Sequence, residues 1–125
     1  MILGIGCDVL HIDRISKLIK YKLFLEKYFT EKEVDMFNKY KKNKKNYEKK
    51  IASNFCVKEA FFKALSSKID SFKFSSVEVL RDDFGKPYIN LYDNLYKFSE
   101  TCNLHVTISN EENIVTSFVL IENKF

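Results

Sequence analysis

Hydrophobic positions change period several times along the chain, and each change marks an element. MILGIG at residues 1–6 is a short apolar run closing on glycine, which predicts a buried strand. Helical spacing follows: Asp13 stands where an N-cap belongs, Ile15, Leu18 and Ile19 share an inner side, and Arg14, Lys17 and Lys20 face outward. KLFLEKYF predicts a second short helix. It must then stop, because Thr30 opens another through TEKE, with Glu33 at the third position of a capping box. Between Lys39 and Lys50, seven of twelve residues are lysine and only Tyr40 and Tyr47 are apolar, so the expectation is a solvated helix end or loop.

IASNFCVKEAFFKALS lacks glycine and proline and predicts a long helix from Ile51 to Leu65. SVEVL and YINL read as short strands around the turn chemistry of DDFGKP, and YDNLYKFSET as a short helix with Asp93 near its start. LHVTIS and NIVTSFVLIE read as a hairpin joined through Asn110, Glu111, Glu112 and Asn113. With no repeat and no linker, residues 1–125 are expected to form one domain. The order of strand, helices and then mostly strands predicts an α+β fold, helices packed on one side of a mostly antiparallel sheet.

Composition narrows the function. Apolar residues at 46% and charged residues at 30% describe a globular chain. A net charge of +4, from 21 basic against 17 acidic residues, permits an anionic partner but is weaker than that of a dedicated nucleic-acid binder. Cys7, Cys56 and Cys102 form no CxxC pair and are odd in number, which argues against a disulfide framework or a zinc site and for the reduced cytoplasm. No apolar run approaches the roughly 18 residues of a membrane span, and Asp8 interrupts the apolar start, so neither a membrane partner nor a secretory leader is expected.

Two of only three glycines, Gly4 and Gly6, precede Asp8; they allow a tight turn or the close approach of a ligand. Asp8 itself is either a strand-end carboxylate or a ligand. The helix from Ile51 to Leu65 is apolar nearly all round and should be buried, so its three charges, Lys58, Glu59 and Lys63, need partners. Glu59 and Lys63, four residues apart, are either a simple surface ion pair or a cation ligand beside a phosphate contact. Magnesium takes one or two protein carboxylates and completes its shell with water and phosphate oxygens; Asp8 would be the second carboxylate.

GIGCDVLHIDRI at residues 4–15, NFCVKEAFFKAL at 54–65, FGKPYI at 84–89 and HVTISNEENIVTSFVLIE at 105–122 together resemble the holo-acyl-carrier-protein synthase family of 4'-phosphopantetheinyl transferases. The blocks keep the family's order over nearly the whole chain, and the first two are specific in combination. The resemblance implies that Asp8 and Glu59 hold Mg2+ and that Lys63 binds the coenzyme A pyrophosphate, with Lys58 as a helper. His105 and Ser109 would lie near the coenzyme. Arg14, with Lys17 and Lys20 on the same basic helix, would dock the acidic acyl carrier protein, and Asp35 falls near a family aspartate suggested to assist the carrier serine. It also implies a homotrimer with coenzyme sites between subunits. Three departures from the family pattern stand out: Asn54 replaces an arginine, Ser66, Ser67 and Lys68 replace a small glycine-rich stretch, and Asn110 replaces a histidine. Each takes away a phosphate or ribose contact, or a candidate base.

The implied reaction moves the phosphopantetheine arm of coenzyme A to a serine of apo-acyl carrier protein and releases adenosine 3',5'-bisphosphate. Such transfer depends on positioning and charge neutralisation. A metal-bound water, Glu59 or Asp35 are the candidates for the serine proton, metal-assisted deprotonation being favoured; Asp8, Glu59 and Lys63 are the expected catalytic set. His105 is otherwise a satisfied strand histidine. Two other classes stay open: a small RNA-binding domain using Lys39 to Lys50 with Tyr40 and Tyr47 as stacking rings, and a carrier-binding module without activity.

Overall fold

Strand pairing carries the first element well past MILGIG. In the computed structural model, which describes residues 1–65, 68, 69 and 71–125, β1 spans Ile2–His11 because β5 pairs with it from end to end. Asp8 is therefore a mid-strand residue, opposite Ser117, and not a strand-end one. Helix α1 (Ile12–Leu18) follows at once; His11 occupies the cap position without a side-chain bond, and Asp13 sits inside the first turn, where its charge suits the helix dipole, correcting its expected place as cap. Lys20 lies in the turn beyond α1.

Helix α2 covers Phe24–Tyr28 and α3 covers Glu31–Asn38. The capping box is complete: the Glu33 amide donates to Thr30 Oγ1 at 3.2 Å, and the Thr30 amide to Glu33 Oε1 at 3.1 Å. Helix α4 runs Lys44–Leu65 and so begins seven residues before the expected start, Ile51. Asn43 makes this possible, its Oδ1 accepting the Asn46 amide at 3.1 Å, and Tyr47 packs against a core, which removes it as a free stacking ring.

Strands β2 (Val77–Arg81) and β3 (Pro87–Leu91) form a hairpin whose turn uses Gly85 at φ +82°. Helix α5 (Tyr96–Thr101), β4 (Cys102–Glu111) and β5 (Ile114–Asn123) complete the chain. The expected antiparallel sheet is present as two pieces, a three-stranded sheet in the order β1-β5-β4 and the two-stranded β2-β3 hairpin. Asn54 is described in α4 and Asn110 in β4, but Ser66 and Ser67 of the remaining departure lie outside the described residues.

Helix α4 lies on one face of the three-stranded sheet, and glycine sets how near it comes. A Cβ on Gly4 would overlap the carbonyl oxygen of Ala64, and one on Gly6 that of Ala60. The two glycines serve neither a turn nor a ligand; they admit a helix backbone. Two cores flank this seam. Val57, Phe61 and Leu65 pack with Val77, Val79, Leu91, Val119 and Ile121, while Ile51 and Phe55 pack with Ile15, Phe24, Phe29 and Phe37. Phe29 and Phe37 meet edge to face, centroids 5.1 Å apart. These contacts explain why α4 is apolar on almost every side.

Among the described residues the other face of the sheet is bare, and Ile5, Val9 and Phe118 on it are 54%, 65% and 41% exposed. All three cysteines are free thiols, and no helix among the described residues is long and apolar enough to cross a membrane. Gly6→Ala forces the helix off the strand and is expected to cost about 3 kcal/mol of stability in urea unfolding. A loss below about 1 kcal/mol would show that the seam relaxes freely.

Candidate active site

The seam delivers one turn of α4 to the middle of β1. Lys63 Nζ donates to Asp8 Oδ1 at 2.9 Å and to the Cys7 carbonyl at 3.1 Å. The bond to Asp8, and then its charge, raises the Lys63 ammonium above the ordinary lysine range. One turn earlier, Glu59 Oε1 accepts from the Arg14 guanidinium at 3.4 Å. Burial first, and the charge of Asp8 second, push the Glu59 carboxyl upward against the pull of Arg14 and Lys63. The simple Glu59–Lys63 pair along the helix is not formed; each carboxylate is instead matched across elements, Asp8 by Lys63 and Glu59 by Arg14.

One oxygen is left over. Among the described residues Asp8 Oδ2 is buried without a hydrogen-bond partner, a costly state for an ionised group. Two neighbouring carboxylates, one with an orphaned oxygen, form an all-oxygen donor set that suits a hard divalent cation. Among the described residues, no cluster of three or more His, Cys, Asp or Glu lies together, so the rest of such a shell falls to water and substrate. The wall behind Asp8 is neutral: burial pushes the Cys56 thiol up to about 11, and Ser117 Oγ donates to the Cys56 carbonyl at 2.9 Å.

Lys58 is not part of this group. Its side chain is fully buried and donates to Glu33 Oε1 at 2.7 Å and to the carbonyls of Val77, Tyr28 and Phe74 at 2.6, 2.8 and 2.9 Å. Consecutive helical residues point about 100° apart, so Lys58 faces α2, α3 and β2 while Glu59 faces β1. This corrects its expected place beside the coenzyme. Asn54 is equally interior, its Nδ2 donating to Glu33 Oε2 at 2.9 Å and to the Val79 carbonyl at 2.8 Å. Glu33, expected only as a capping residue, is thus the counterion of α4; the available clue was a lysine set in an apolar helix.

His105 and Ser109 occupy the bare face of the sheet, away from α4, and His105 Nε2 sits 2.8 Å from Glu122 Oε1. Ser109 lines a shallow cleft of about 440 Å3 together with Cys7, Asp8, Lys63 and Phe118. His105 does not reach it. Arg14, Lys17 and Lys20 are exposed beside Tyr21 and Leu23, which are 69% and 63% exposed. Asp35 is exposed on α3.

Comparison with known proteins gives one answer. The family model described as the 4'-phosphopantetheinyl transferase superfamily matches residues 4–119. The chain is similar to the holo-[acyl-carrier-protein] synthase of Clostridium botulinum strain Eklund 17B, with 40% identity covering 98% of each chain. Lachnoclostridium phytofermentans has another such synthase, 39% identical over 98% of this chain and 97% of its own. Among solved structures, the Bacillus anthracis synthase in complex with CoA (3',5'-ADP) superposes with a TM-score of 0.84 at 28% identity, covering 99% of both chains.

Lys58→Met strands Glu33 without its cation and is expected to cost about 3 kcal/mol in chemical unfolding. Unchanged stability would show that Lys58 does not hold Glu33 in the interior.

Proposed function

Because the chain belongs to the 4'-phosphopantetheinyl transferase superfamily, we propose that it moves the phosphopantetheine arm of coenzyme A onto a serine of apo-acyl carrier protein in the cytoplasm. The chain is a transferase of the holo-acyl-carrier-protein synthase kind. The observation that carries the finer reading is the orphaned Asp8 Oδ2 next to Glu59 and Lys63.

Asp8 and Glu59 would hold Mg2+. Bound there, the ion would offset charge on the pyrophosphate oxygens and on the departing phosphate. Lys63, its side chain 57% exposed, extends from Asp8 Oδ1 toward the cleft and meets the pyrophosphate as a point charge. The serine oxygen forms a bond to the phosphorus on the pantetheine side as the bond to the adenosine-side phosphate breaks, releasing adenosine 3',5'-bisphosphate. Of the two side chains weighed for the serine proton, Glu59 is the one that feels the charge of Asp8, whereas Asp35 stands on the solvent side of α3; metal-assisted deprotonation stays the favoured route.

Ser109 meets the coenzyme from within its own chain's cleft, whereas His105 joins the site from a neighbouring copy in a homotrimer assembled on the bare sheet face. The exposed Ile5, Val9 and Phe118 there support it, being apolar surface that a lone chain leaves in water. The carrier, acidic in this family, meets the basic strip of Arg14, Lys17 and Lys20, with Tyr21 and Leu23 as its apolar rim.

Incubation with coenzyme A, Mg2+ and apo-carrier protein should add one phosphopantetheine to the carrier by intact mass. Chelation should abolish the gain, and Asp8→Asn or Glu59→Gln should slow it by about 100-fold or more. In the same assay Lys17→Glu should raise the carrier KM about tenfold and leave that of coenzyme A unchanged. Carrier that stays unmodified under all conditions would reduce the chain to a carrier-binding module. Sedimentation should give three times the chain mass, and a monomer for Phe118→Glu; a wild-type monomer would remove His105 from the site.

A further inference from the structure

Arg14 stands in two places at once. It belongs to the exposed basic strip on α1, yet its guanidinium reaches back to Glu59 Oε1 at 3.4 Å and lies 5.4 Å from the centroid of the Phe55 ring. Phe55 is buried and precedes Glu59 by one helical turn, so it is a fixed platform that holds the guanidinium over the carboxylate. The bond to Glu59 is long, and the Arg14 side chain is 55% exposed, which makes the contact easy to exchange. Lys63 is tied to Asp8 far more closely, at 2.9 Å, and belongs to the reacting group.

We propose that Arg14 is a switchable counterion: it neutralises Glu59 while the cation site is empty and is drawn away by the acidic carrier, so that carrier docking and divalent-cation binding strengthen each other. The inference rests on the reading of Asp8 and Glu59 as cation ligands. A guanidinium and a divalent ion compete for the same carboxylate, since each adds positive charge at Glu59. An acidic surface that takes up Arg14 removes one competitor, and linkage requires the converse, that a bound cation frees Arg14 for the carrier. Arg14 acts through Glu59 and is a positioning residue.

Mn2+ binding, followed by electron paramagnetic resonance without coenzyme A, tests this with no turnover. Arg14→Gln is expected to bind Mn2+ about fivefold tighter than the parent chain, while Lys97→Gln, the same charge change on α5, leaves affinity unaltered. Saturating apo-carrier protein with its acceptor serine replaced by alanine should tighten Mn2+ binding to the parent chain by a similar factor, and do nothing for Arg14→Gln. Unchanged or weaker Mn2+ binding by Arg14→Gln, or a carrier effect that survives the substitution, overturns the proposal. Mn2+ binding that Glu59→Gln fails to reduce overturns instead the cation-site reading beneath it, and the proposal with it.

Discussion

The site depends on a backbone touching a backbone. Gly4 and Gly6 leave no side chain between β1 and α4, and Ala60 and Ala64 answer with the smallest side chains available. Helix and strand then run so close that residues one turn apart on α4 fall on both sides of Asp8. Any larger residue in the seam would move Glu59 and Lys63 outward together, because a packed interior shifts in blocks. The carboxylate pairing and the cleft lined by Lys63 and Asp8 are consequences of this one approach.

Helix α4 treats its three charges in two opposite ways. Lys58 has every donor satisfied by a carboxylate and three carbonyls, and nothing can enter. Glu59 and Lys63 are balanced only by partners that are half exposed or shared, and Asp8 keeps an unused oxygen. A closed network and an open one thus sit on neighbouring residues of the same helix turn. The closed one fixes the rotation of α4 about its axis, and the open one keeps the valence that a substrate and its ion would fill.

Elements were legible where their cause is local. The capping box at Thr30 and Glu33, the hairpin β4–β5 and the long apolar helix all follow from spacing within a few residues. The start of α4 was hidden because its lysines look like solvent, while the determinants are the small cap Asn43 and the partly buried ring Tyr47. Residue type makes Asp13 the expected cap, but β1 stays paired to its last residue, so His11 opposite Ile114 holds that position. For the site, periodicity alone showed that Lys58, Glu59 and Lys63 needed partners and could not say which. Glu33, Arg14 and Asp8 lie 25, 45 and 55 residues away in sequence. Magnesium chemistry allowed Asp8 as a second carboxylate beside Glu59 and the four-block resemblance made the pairing specific, but neither could reveal that Lys58 turns inward.

The burial of Lys58 reaches beyond packing. Its ammonium is held by carbonyls at Tyr28, Phe74 and Val77, the end of α2, a single 3-10 turn and the first residue of β2. Each of the three gives a carbonyl to the same buried ammonium, so movement of any one weakens the solvation of a charge that water does not reach. Three pieces distant in sequence are thus joined through one side chain, and the helix that carries the chemistry is clamped by them from its far side.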